Sequence, residues 1–490
     1  MLTKKKVKTI KWYRQSGAGI PLCCGMPFLA LSERMFKKSG FYFPNDLGTF
    51  LKTKTGFTFY HYFDYFLTLE QVKKIFVRLK NNNDFFKTLK NDCYLAAKEI
   101  EKTGLAILKN KVISRSFIKE YESFLEWNMK FWENSLYIDL LDPFESQIID
   151  FIFGPTKEKL DKNDVNTLLS PDELSNLQKE QKDLSSIYKI AKEKGIDSPE
   201  VKKLINKHSD NYYWLKNDYE KAEYLDEKYF SKKLKELVKN QAEVKSIING
   251  LEKFEEVKKN KNALINKYAI SGNTLRFLNF FNWVTTYRDD RKKYNQIANY
   301  VFIEIIEKIS KEIGIGIDLL KYAVPDEIPL IIKRDKKTIA ELKKRANIGL
   351  IVFAGKTTKL EVVSGSIAEE YFEILEKTIA ASEIRGTTVS PGKVIGIAKI
   401  ILNQKDFSKM DNGDVIVASM TRPEYVSIMK KAAAVITDEG GITCHAAIVS
   451  RELNIPCITG TQIATRSLAD GDLIDVNANH GLVKIIKKAK

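Results

Sequence analysis

Histidine and cysteine are scarce in this 490-residue sequence, and it has no long apolar run. Two of the five cysteines, Cys23 and Cys24, are adjacent, and the set suggests neither a disulfide framework nor a zinc site. No uninterrupted apolar stretch is long enough to cross a bilayer. Residues 18–31 resemble a signal peptide only superficially, because prolines and glycines interrupt them. We therefore expect a reduced, cytoplasmic protein without a membrane segment.

The net charge of +17 raises the question of a nucleic-acid partner. Residues 386–490 contain 13 basic and 10 acidic residues, so most of the excess lies upstream. There the lysines alternate with glutamates and aspartates along helical stretches, as in TKEKLDKND. No arginine-rich arm, zinc-finger spacing or RNA-binding aromatic motif accompanies them. A nucleic-acid-binding protein is therefore the least supported of the functions considered below.

The length allows about two to four domains, each large enough to bury a core. Apolar residues at three- and four-residue spacing predict amphipathic helices over most of the chain up to residue 345. The expected fold is multidomain, with a mainly α-helical N-terminal and central region followed by a C-terminal α/β domain. The expected segments are a mixed segment at 1–45, a helical region at 46–345 with a charged helical hairpin at about 154–260, a β-hairpin and hinge at 346–384, and the C-terminal domain at 385–490.

The segment around His445 has the pattern of a strand, a glycine turn and a helix. Residues 432–436 (AAAVI) predict a buried strand, and Gly440 and Gly441 allow a tight, open turn. Thr443 is a good N-cap for a helix over 445–453. His445 would then lie in the first helical turn, where free N–H groups and the helix dipole favour an anion.

The same dipole disfavours an imidazolium, so the ring of His445 should be a neutral nucleophile near physiological pH. A phosphoryl group captured there would find hydrogen-bond donors in place. For an isolated histidine, the simpler interpretation is a residue that caps a helix in an inert domain. The surrounding pattern favours the phosphoryl carrier.

This segment resembles the phosphohistidine (swivelling or mobile) domain of the PEP-utilising enzymes, such as phosphoenolpyruvate synthase, pyruvate phosphate dikinase and rifampin phosphotransferase. The family pattern GG-x-T-[SC]-HAA-x-x-[AS]-R-x-x-x-x-P is matched from Gly440 to Pro456. Supporting matches are SPG at 390–392, MTRPEYV from Met420 and ADGDLIDVNANHGLV from Ala469. The resemblance covers residues 385–490 and implies a β/β/α swivelling domain.

The resemblance implies a role for each matched residue. His445 would carry a phosphoryl group, Thr443 would support it through its hydroxyl, and Gly440 and Gly441 would shape the turn under the phosphate. Cys444 stands where the family has serine or cysteine. The synthases often carry basic residues around the glycine pair, whereas this chain has Asp438, Glu439 and Ile442. Fewer positive charges there leave the docking partner open.

In the family, an ATP-grasp domain loads the histidine, but the glycine-rich and Arg-Ser-Ser segments of such a domain do not occur in this sequence. The family's pyruvate-binding barrel would need about 250 residues after the mobile domain, and we do not expect it on this chain. We therefore expect an ATP-grasp protein on a separate chain as partner, with Mg²⁺ and ATP or PEP at the partner's site. We expect no tightly bound cofactor and no metal on this chain.

The sequence gives less information about the acceptor of the phosphoryl group. Arg276, Arg288 and Arg291, with Lys292, could neutralise a transferring phosphoryl group, and Asp289 could act as base. A solvated, salt-bridged helix face explains the same residues more simply. Outside the motif, His61 is expected to pack in an aromatic core, His208 to be solvated and His480 to lie in a terminal turn.

Two functions follow. The first is a phosphotransferase component that carries a phosphoryl group on His445 between a nucleotide site and a small-molecule acceptor. The alternative is a non-catalytic docking or regulatory protein that keeps the mobile domain as a phosphorylatable interaction module.

Overall fold

The structure is a computed structural model, and it divides the chain into two compact units. The first unit comprises Met1–Ile75, Leu136–Ile149 and Lys321–Lys490, and the second comprises Phe76–Ser135 and Asp150–Leu320. The described residues are 3–489 without 8–9, 11, 31–46, 54–55, 137–140, 142–143, 220, 354–359, 376–382 and 442–443. Within them, no helix is both long enough and apolar enough to cross a membrane.

The described strands form two sheets, both in the first unit. In chain order they are β1 (Trp12–Ala18), β2 (Leu47–Thr53), β3 (Gly56–Asp64), β4 (Leu350–Phe353), β5 (Glu361–Ser364), β6 (Glu383–Arg385), β7 (Thr387–Ser390), β8 (Lys393–Ile400), β9 (Val415–Ala418), β10 (Ala434–Thr437), β11 (Cys457–Thr459), β12 (Leu473–Asn477) and β13 (Leu482–Lys487).

Most of the described chain is helical. The α-helices are α1 (Lys4–Val7), α2 (Pro21–Cys24), α3 (Met26–Ala30), α4 (Tyr65–Asn81), α5 (Phe85–Leu108), α6 (Arg115–Ser135), α7 (Glu145–Phe153), α8 (Lys162–Leu168), α9 (Asn176–Lys194), α10 (Pro199–Tyr212), α11 (Glu227–Lys239), α12 (Gln241–Lys267), α13 (Gly272–Ile313), α14 (Ile317–Leu320), α15 (Ile328–Ile332), α16 (Lys336–Ile348), α17 (Gly365–Leu375), α18 (Val426–Met429), α19 (His445–Glu452) and α20 (Ala464–Ser467). Short 3₁₀ turns lie at Gly154–Lys159, Pro325–Glu327, Gln404–Lys409 and Pro423–Tyr425.

The smaller sheet is antiparallel, with strand order β1-β3-β2-β4-β5. The prediction of helices from residue 46 onward was wrong at 47–64, which form β2 and β3. Strand β3 is an inner strand, and its residues 61–64 are buried on both faces. An aromatic run buried on both sides of a sheet carries no helical period, which explains the error. His61 lies in this aromatic core, as predicted, and is 5% exposed.

The hairpin predicted near residue 350 is confirmed, because β4 and β5 pair antiparallel. Strand β4 also pairs with β2, which joins the hairpin to the N-terminal sheet. Helix α17 follows and was not predicted. Ile384, the last residue of the expected hairpin-and-hinge segment, lies in β6 of the larger sheet. Residues 376–382 of that segment lie outside the described residues.

The larger sheet has the order β6-β13-β12-β8-β9-β10-β11-β7. Strands β8, β9, β10 and β11 run parallel to one another, and antiparallel strands flank them. Both β9 and β10 are buried along their whole length. Alternate residues of β9 point into two separate apolar clusters, with Ile416 on one face and Val415 on the other. Covered faces of this kind are typical of parallel sheets.

The second unit is helical. Helix α13 spans 42 residues and confirms the long helix predicted near residue 271. Trp283, Phe280 and Phe281 are buried in it, in agreement with the prediction that they belong to the core.

The expected helical hairpin at 154–260 was wrong. This stretch forms five helices, α8 to α12, and four of them, α9 to α12, contribute to an apolar cluster that also includes Ile297 of α13. Because charged residues occupy the surface positions of these helices, their narrow apolar faces were not recognised in the sequence. His208, expected to be solvated, is 3% exposed, and its Nε2 lies 3.1 Å from Oε1 of Glu180.

Candidate functional site

The candidate site lies where the parallel strands β9 and β10 end. Ala418 and Thr437, the last residues of the two strands, are directly paired. The backbone pairing continues one step further, since Asp438 N–H donates to Ala418 O at 3.0 Å and Glu439 N–H to Ser419 O at 2.9 Å. The carboxyl ends of parallel strands share one edge of a sheet, which is where such sheets place ligands. The loops after β9 and β10 therefore start side by side.

His445 is the first residue of helix α19. The N-cap is Cys444, with an extended backbone, so the prediction that Thr443 is the N-cap was wrong. Thr443 and Ile442 themselves lie outside the described residues. The first intrahelical hydrogen bond runs from Ile448 N–H to Cys444 O at 3.0 Å. The backbone N–H groups before Ile448 have no acceptor inside the helix, so they can bind an anion beside the imidazole.

A side chain from the neighbouring loop holds the imidazole. Oγ1 of Thr421, three residues after β9, lies 2.8 Å from Nδ1 of His445. Thr421 is 7% exposed, whereas His445 is half-buried. The hydroxyl can accept from Nδ1–H or donate to Nδ1, and if it accepts, the lone pair of the neutral ring is on Nε2.

Sequence reasoning missed Thr421. The stretch MTRPEYV was recognised as a supporting match, but Thr421 was given no role. Its position after a buried β-strand was a partial signal, since the loop to His445 also follows such a strand, but only the pairing of β9 with β10 places Thr421 beside His445.

Gly440 is placed where a side chain would not fit. Its φ is +100°, and a Cβ there would lie 2.8 Å from Sγ and 2.9 Å from Cβ of Cys444. Across the turn, Gly460 has a φ of +70° and approaches the carbonyl oxygen of Gly440. The carbonyl of Gly441 accepts from Cys444 N–H at 3.2 Å. The glycine pair therefore packs the turn tightly against the start of the helix.

The two acidic residues before the glycine pair are buried. Asp438 is 2% and Glu439 is 6% exposed. Oδ1 of Asp438 accepts from Thr461 Oγ1 at 3.0 Å and from Thr465 N–H at 3.2 Å, and Thr465 Oγ1 donates to Oδ2. Asp438 thus ties the loop after β10 to the loop after β11. Its carboxylate has a structural explanation that does not involve a phosphate.

Two further residues of the region have structural roles. Arg451 donates from Nε to Val389 O at 2.9 Å and ties α19 to β7. Cys457, on β11, is fully buried, and this burial raises the pKa of its thiol to about 12. Cys457 is therefore a neutral core residue. All five cysteines are free thiols.

The candidate acceptor residues do not form one cluster. Arg276, Arg288 and Arg291 all lie on α13, but Arg276 and Arg288 are 12 positions apart, which is about 18 Å along the helix. Both hydrogen bonds of Arg276 Nη1, to Leu79 O and Lys80 O, are 3.1 Å long and close the end of α4.

The other two candidates are also packed against protein groups. The guanidinium of Arg291 lies 5.4 Å from the ring centre of Trp132. Arg288 is half-buried one turn earlier. Asp289, the candidate base, accepts from the backbone N–H of Asn176, and burial raises the pKa of its carboxyl. Within the described ranges, no group of three or more histidine, cysteine or acidic side chains could hold a metal ion.

Comparison with known proteins identifies the C-terminal domain. Residues 410–481 match the family described as PEP-utilising enzyme, mobile domain. A probable phosphoenolpyruvate synthase of Archaeoglobus fulgidus is 47% identical over 116 residues, which are 24% of this chain and 15% of that protein. The uncharacterized phosphotransferase YvkC of Bacillus subtilis is 39% identical over 129 residues, 26% of this chain and 15% of that protein.

Among solved structures, the holo-form of Thermococcus kodakaraensis aconitase X is matched over 22% of this chain and 100% of that chain, at 17% identity and a TM-score of 0.19. So low a score supports no statement about the fold. The sequence matches confirm the resemblance for the C-terminal domain, which is a PEP-utilising enzyme mobile domain. The chain spans only 15% of the length of the two curated relatives.

Proposed function

We propose that this chain is a phosphotransferase component that carries a phosphoryl group on His445. The observation that carries the proposal is the 2.8 Å contact between Thr421 Oγ1 and His445 Nδ1 at the first residue of a helix. It supplies an oriented imidazole at a helix N-terminus, where backbone N–H groups favour an anion, and these are the two features that a phosphohistidine needs. The names of the curated relatives, phosphoenolpyruvate synthase and phosphotransferase, support the same reaction class.

In the proposed step, the Nε2 lone pair of the neutral ring attacks the phosphorus of the donor. An N–P bond forms while the P–O bond to the leaving group breaks, and the leaving group takes that electron pair. Thr421 accepts the Nδ1–H hydrogen bond and stabilises the positive charge that develops on the ring. The first-turn N–H groups of α19 hold the phosphoryl oxygens.

The donor, in this proposal, is ATP or PEP bound with Mg²⁺ to an ATP-grasp protein on another chain. The domain that bears His445 would swing from that donor to a small-molecule acceptor with a hydroxyl or enolate oxygen.

The test is phosphoryl transfer to His445. The full chain is incubated with labelled ATP or labelled PEP, with and without a candidate ATP-grasp protein. His445→Ala and His480→Ala are compared, because His480 is an exposed histidine of the same domain. Acid-labile, base-stable label that is lost only in His445→Ala supports the carrier and identifies its donor. If no donor labels the wild-type chain, the carrier proposal fails and the docking module takes its place.

A further inference from the structure

A cleft of about 240 Å³ opens among four elements of the second unit. Helix α5 contributes Tyr94, α9 contributes Lys179, the turn after α10 contributes Trp214, and α13 contributes Asp290 and Lys293. This volume suits a molecule with a single ring, since pockets for larger ligands are about 300–1,000 Å³.

Asp290 provides the negative group of the cleft. Its side chain is only 13% exposed, and its Oδ2 accepts from the hydroxyl of Tyr94 at 2.7 Å. Nζ of Lys179 lies 3.6 Å from Oδ1. A carboxylate has about four lone-pair sites, so Asp290 can accept a further hydrogen bond from a ligand hydroxyl. The Tyr94 and Lys179 contacts hold the carboxylate in position for it.

Lys293 provides a positive group on the same helix face, three residues after Asp290. Its Nζ lies 5.8 Å from the ring centre of Trp214 and 5.2 Å from that of Tyr294. No carboxylate of the described residues lies within 4.0 Å of this half-buried amine. A lysine held against aromatic rings without a carboxylate partner attracts an anionic ligand group.

We propose that this cleft binds a small hydroxylated aromatic anion. The ring lies against Tyr94 and Tyr294, which are only half-buried, the anionic group pairs with Lys293, and the hydroxyl donates to Asp290. This site lies in the unit that does not contain His445, so the inference does not depend on the phosphoryl carrier. Under the proposed function, such a hydroxyl compound would also be a candidate acceptor.

The test is calorimetric titration of the full chain with 4-hydroxybenzoate, benzoate and phenol. Benzoate lacks the hydroxyl of 4-hydroxybenzoate, and phenol lacks its carboxylate. We expect 4-hydroxybenzoate to bind about tenfold more tightly than either, since a hydrogen bond to a charged group contributes about 1.5 kcal/mol or more. Equal affinities for the three probes, or no binding of any, would overturn the proposal.

Variants assign the two ends of the ligand. Lys293→Gln should weaken 4-hydroxybenzoate and benzoate about tenfold and leave phenol unchanged. The matched control is Lys311→Gln, because Lys311 is an exposed lysine of the same helix, with a side chain 78% exposed. Asp290→Asn should weaken 4-hydroxybenzoate and phenol but not benzoate. If Asp290→Asn does not fold, the affinities of Lys293→Gln for the three probes provide the test. An equal loss of affinity for all three probes would contradict the assignment.

Discussion

Thr421 and His445 are 24 residues apart in the sequence, and a 2.8 Å hydrogen bond joins Oγ1 of the first to Nδ1 of the second. The parallel pairing of β9 with β10 creates this proximity, because each residue lies in the loop that leaves the same sheet edge. The contact orients the imidazole at the start of the helix, as the proposed nucleophile requires. The proposed chemistry therefore depends on two loops, of which the family motif contains only one.

Removing the Thr421 hydroxyl should release the imidazole. In wild-type protein, imidazole ¹⁵N NMR of His445 should show Nδ1 protonated and Nε2 unprotonated in the neutral ring. Thr421→Val should give a mixture of the two tautomers, and phosphoryl loading should slow about tenfold, as for the loss of one hydrogen bond. Thr421→Ser should restore both properties. Ser427→Ala, which removes an exposed hydroxyl after the same strand, is the control. An unchanged tautomer in Thr421→Val would contradict the role of this contact.

Gly440→Ala should destabilise the mobile domain through both backbone strain and contact with Cys444. Gly413 has a similar φ, +90° against +100°, but a Cβ there would meet no atom within 4 Å. Gly413→Ala therefore measures the strain alone, about 1–2 kcal/mol. We expect Gly440→Ala to lower the free energy of unfolding by at least about 1 kcal/mol more, as overpacking does. Urea unfolding of both variants measures this difference. If the two variants lose the same free energy of unfolding, the turn at Gly440 relaxes to accommodate the new side chain.

The sequence was sufficient for those elements whose signal is local. His445, Gly440 and the hairpin of β4 and β5 could be recognised from residue types and spacing alone. Thr421 could not be placed at the site without the pairing of β9 and β10, which is a non-local property. His208 was misjudged for a similar reason, since its partner Glu180 lies on another helix and charged neighbours hide its buried face.

Glu180 should stabilise the charged helices of the second unit. Its side chain is 0% exposed, and Oε1 lies 3.1 Å from His208 Nε2 while Oε2 lies 2.8 Å from Lys233 Nζ. Burial raises the pKa of the Glu180 carboxyl, but the hydrogen bonds from His208 and Lys233 outweigh it, and the pKa is lowered. Breaking a buried pair by removing one partner costs about 3–5 kcal/mol. We therefore expect Glu180→Ala to lower the free energy of unfolding by about 3 kcal/mol.

Urea unfolding at pH 7 tests the loss against Glu193→Ala, an exposed glutamate on the same helix that should change stability by about 0.5 kcal/mol or less. Because the folded-state pKa of Glu180 is lowered, its contribution is present above the unfolded pKa of about 4.3 and is lost as the pH falls. The difference between wild type and Glu180→Ala should therefore shrink toward pH 3. A difference that is independent of pH would mean that packing, and not the carboxylate, accounts for the loss.

Asp326 should make the first unit less stable as the pH rises. Burial raises the pKa of its carboxyl to about 6, and the neighbouring Glu327 adds to the shift. The unfolded value is about 3.9, so the folded chain binds the proton more tightly, and stability is lost between about pH 4 and pH 6. The difference between the folded and unfolded pKa values corresponds to roughly 3 kcal/mol of stability above that window. Asp326→Asn keeps an acceptor oxygen for Leu360 N–H but does not titrate.

We therefore expect Asp326→Asn to be more stable than wild type at pH 7 and no more stable at pH 4. Denaturant unfolding at the two pH values, followed for the transition of the first unit, gives the comparison. The control is Asp411→Asn, at an exposed position of the same unit. Its free energy of unfolding should match that of wild type at both pH values, since removing a solvated carboxylate leaves the folding equilibrium almost unchanged. The burial of Asp326 is the physical cause of the expected gain. If the free energy of unfolding of Asp326→Asn also changes with pH as that of wild type does, the carboxyl is not desolvated in the folded chain.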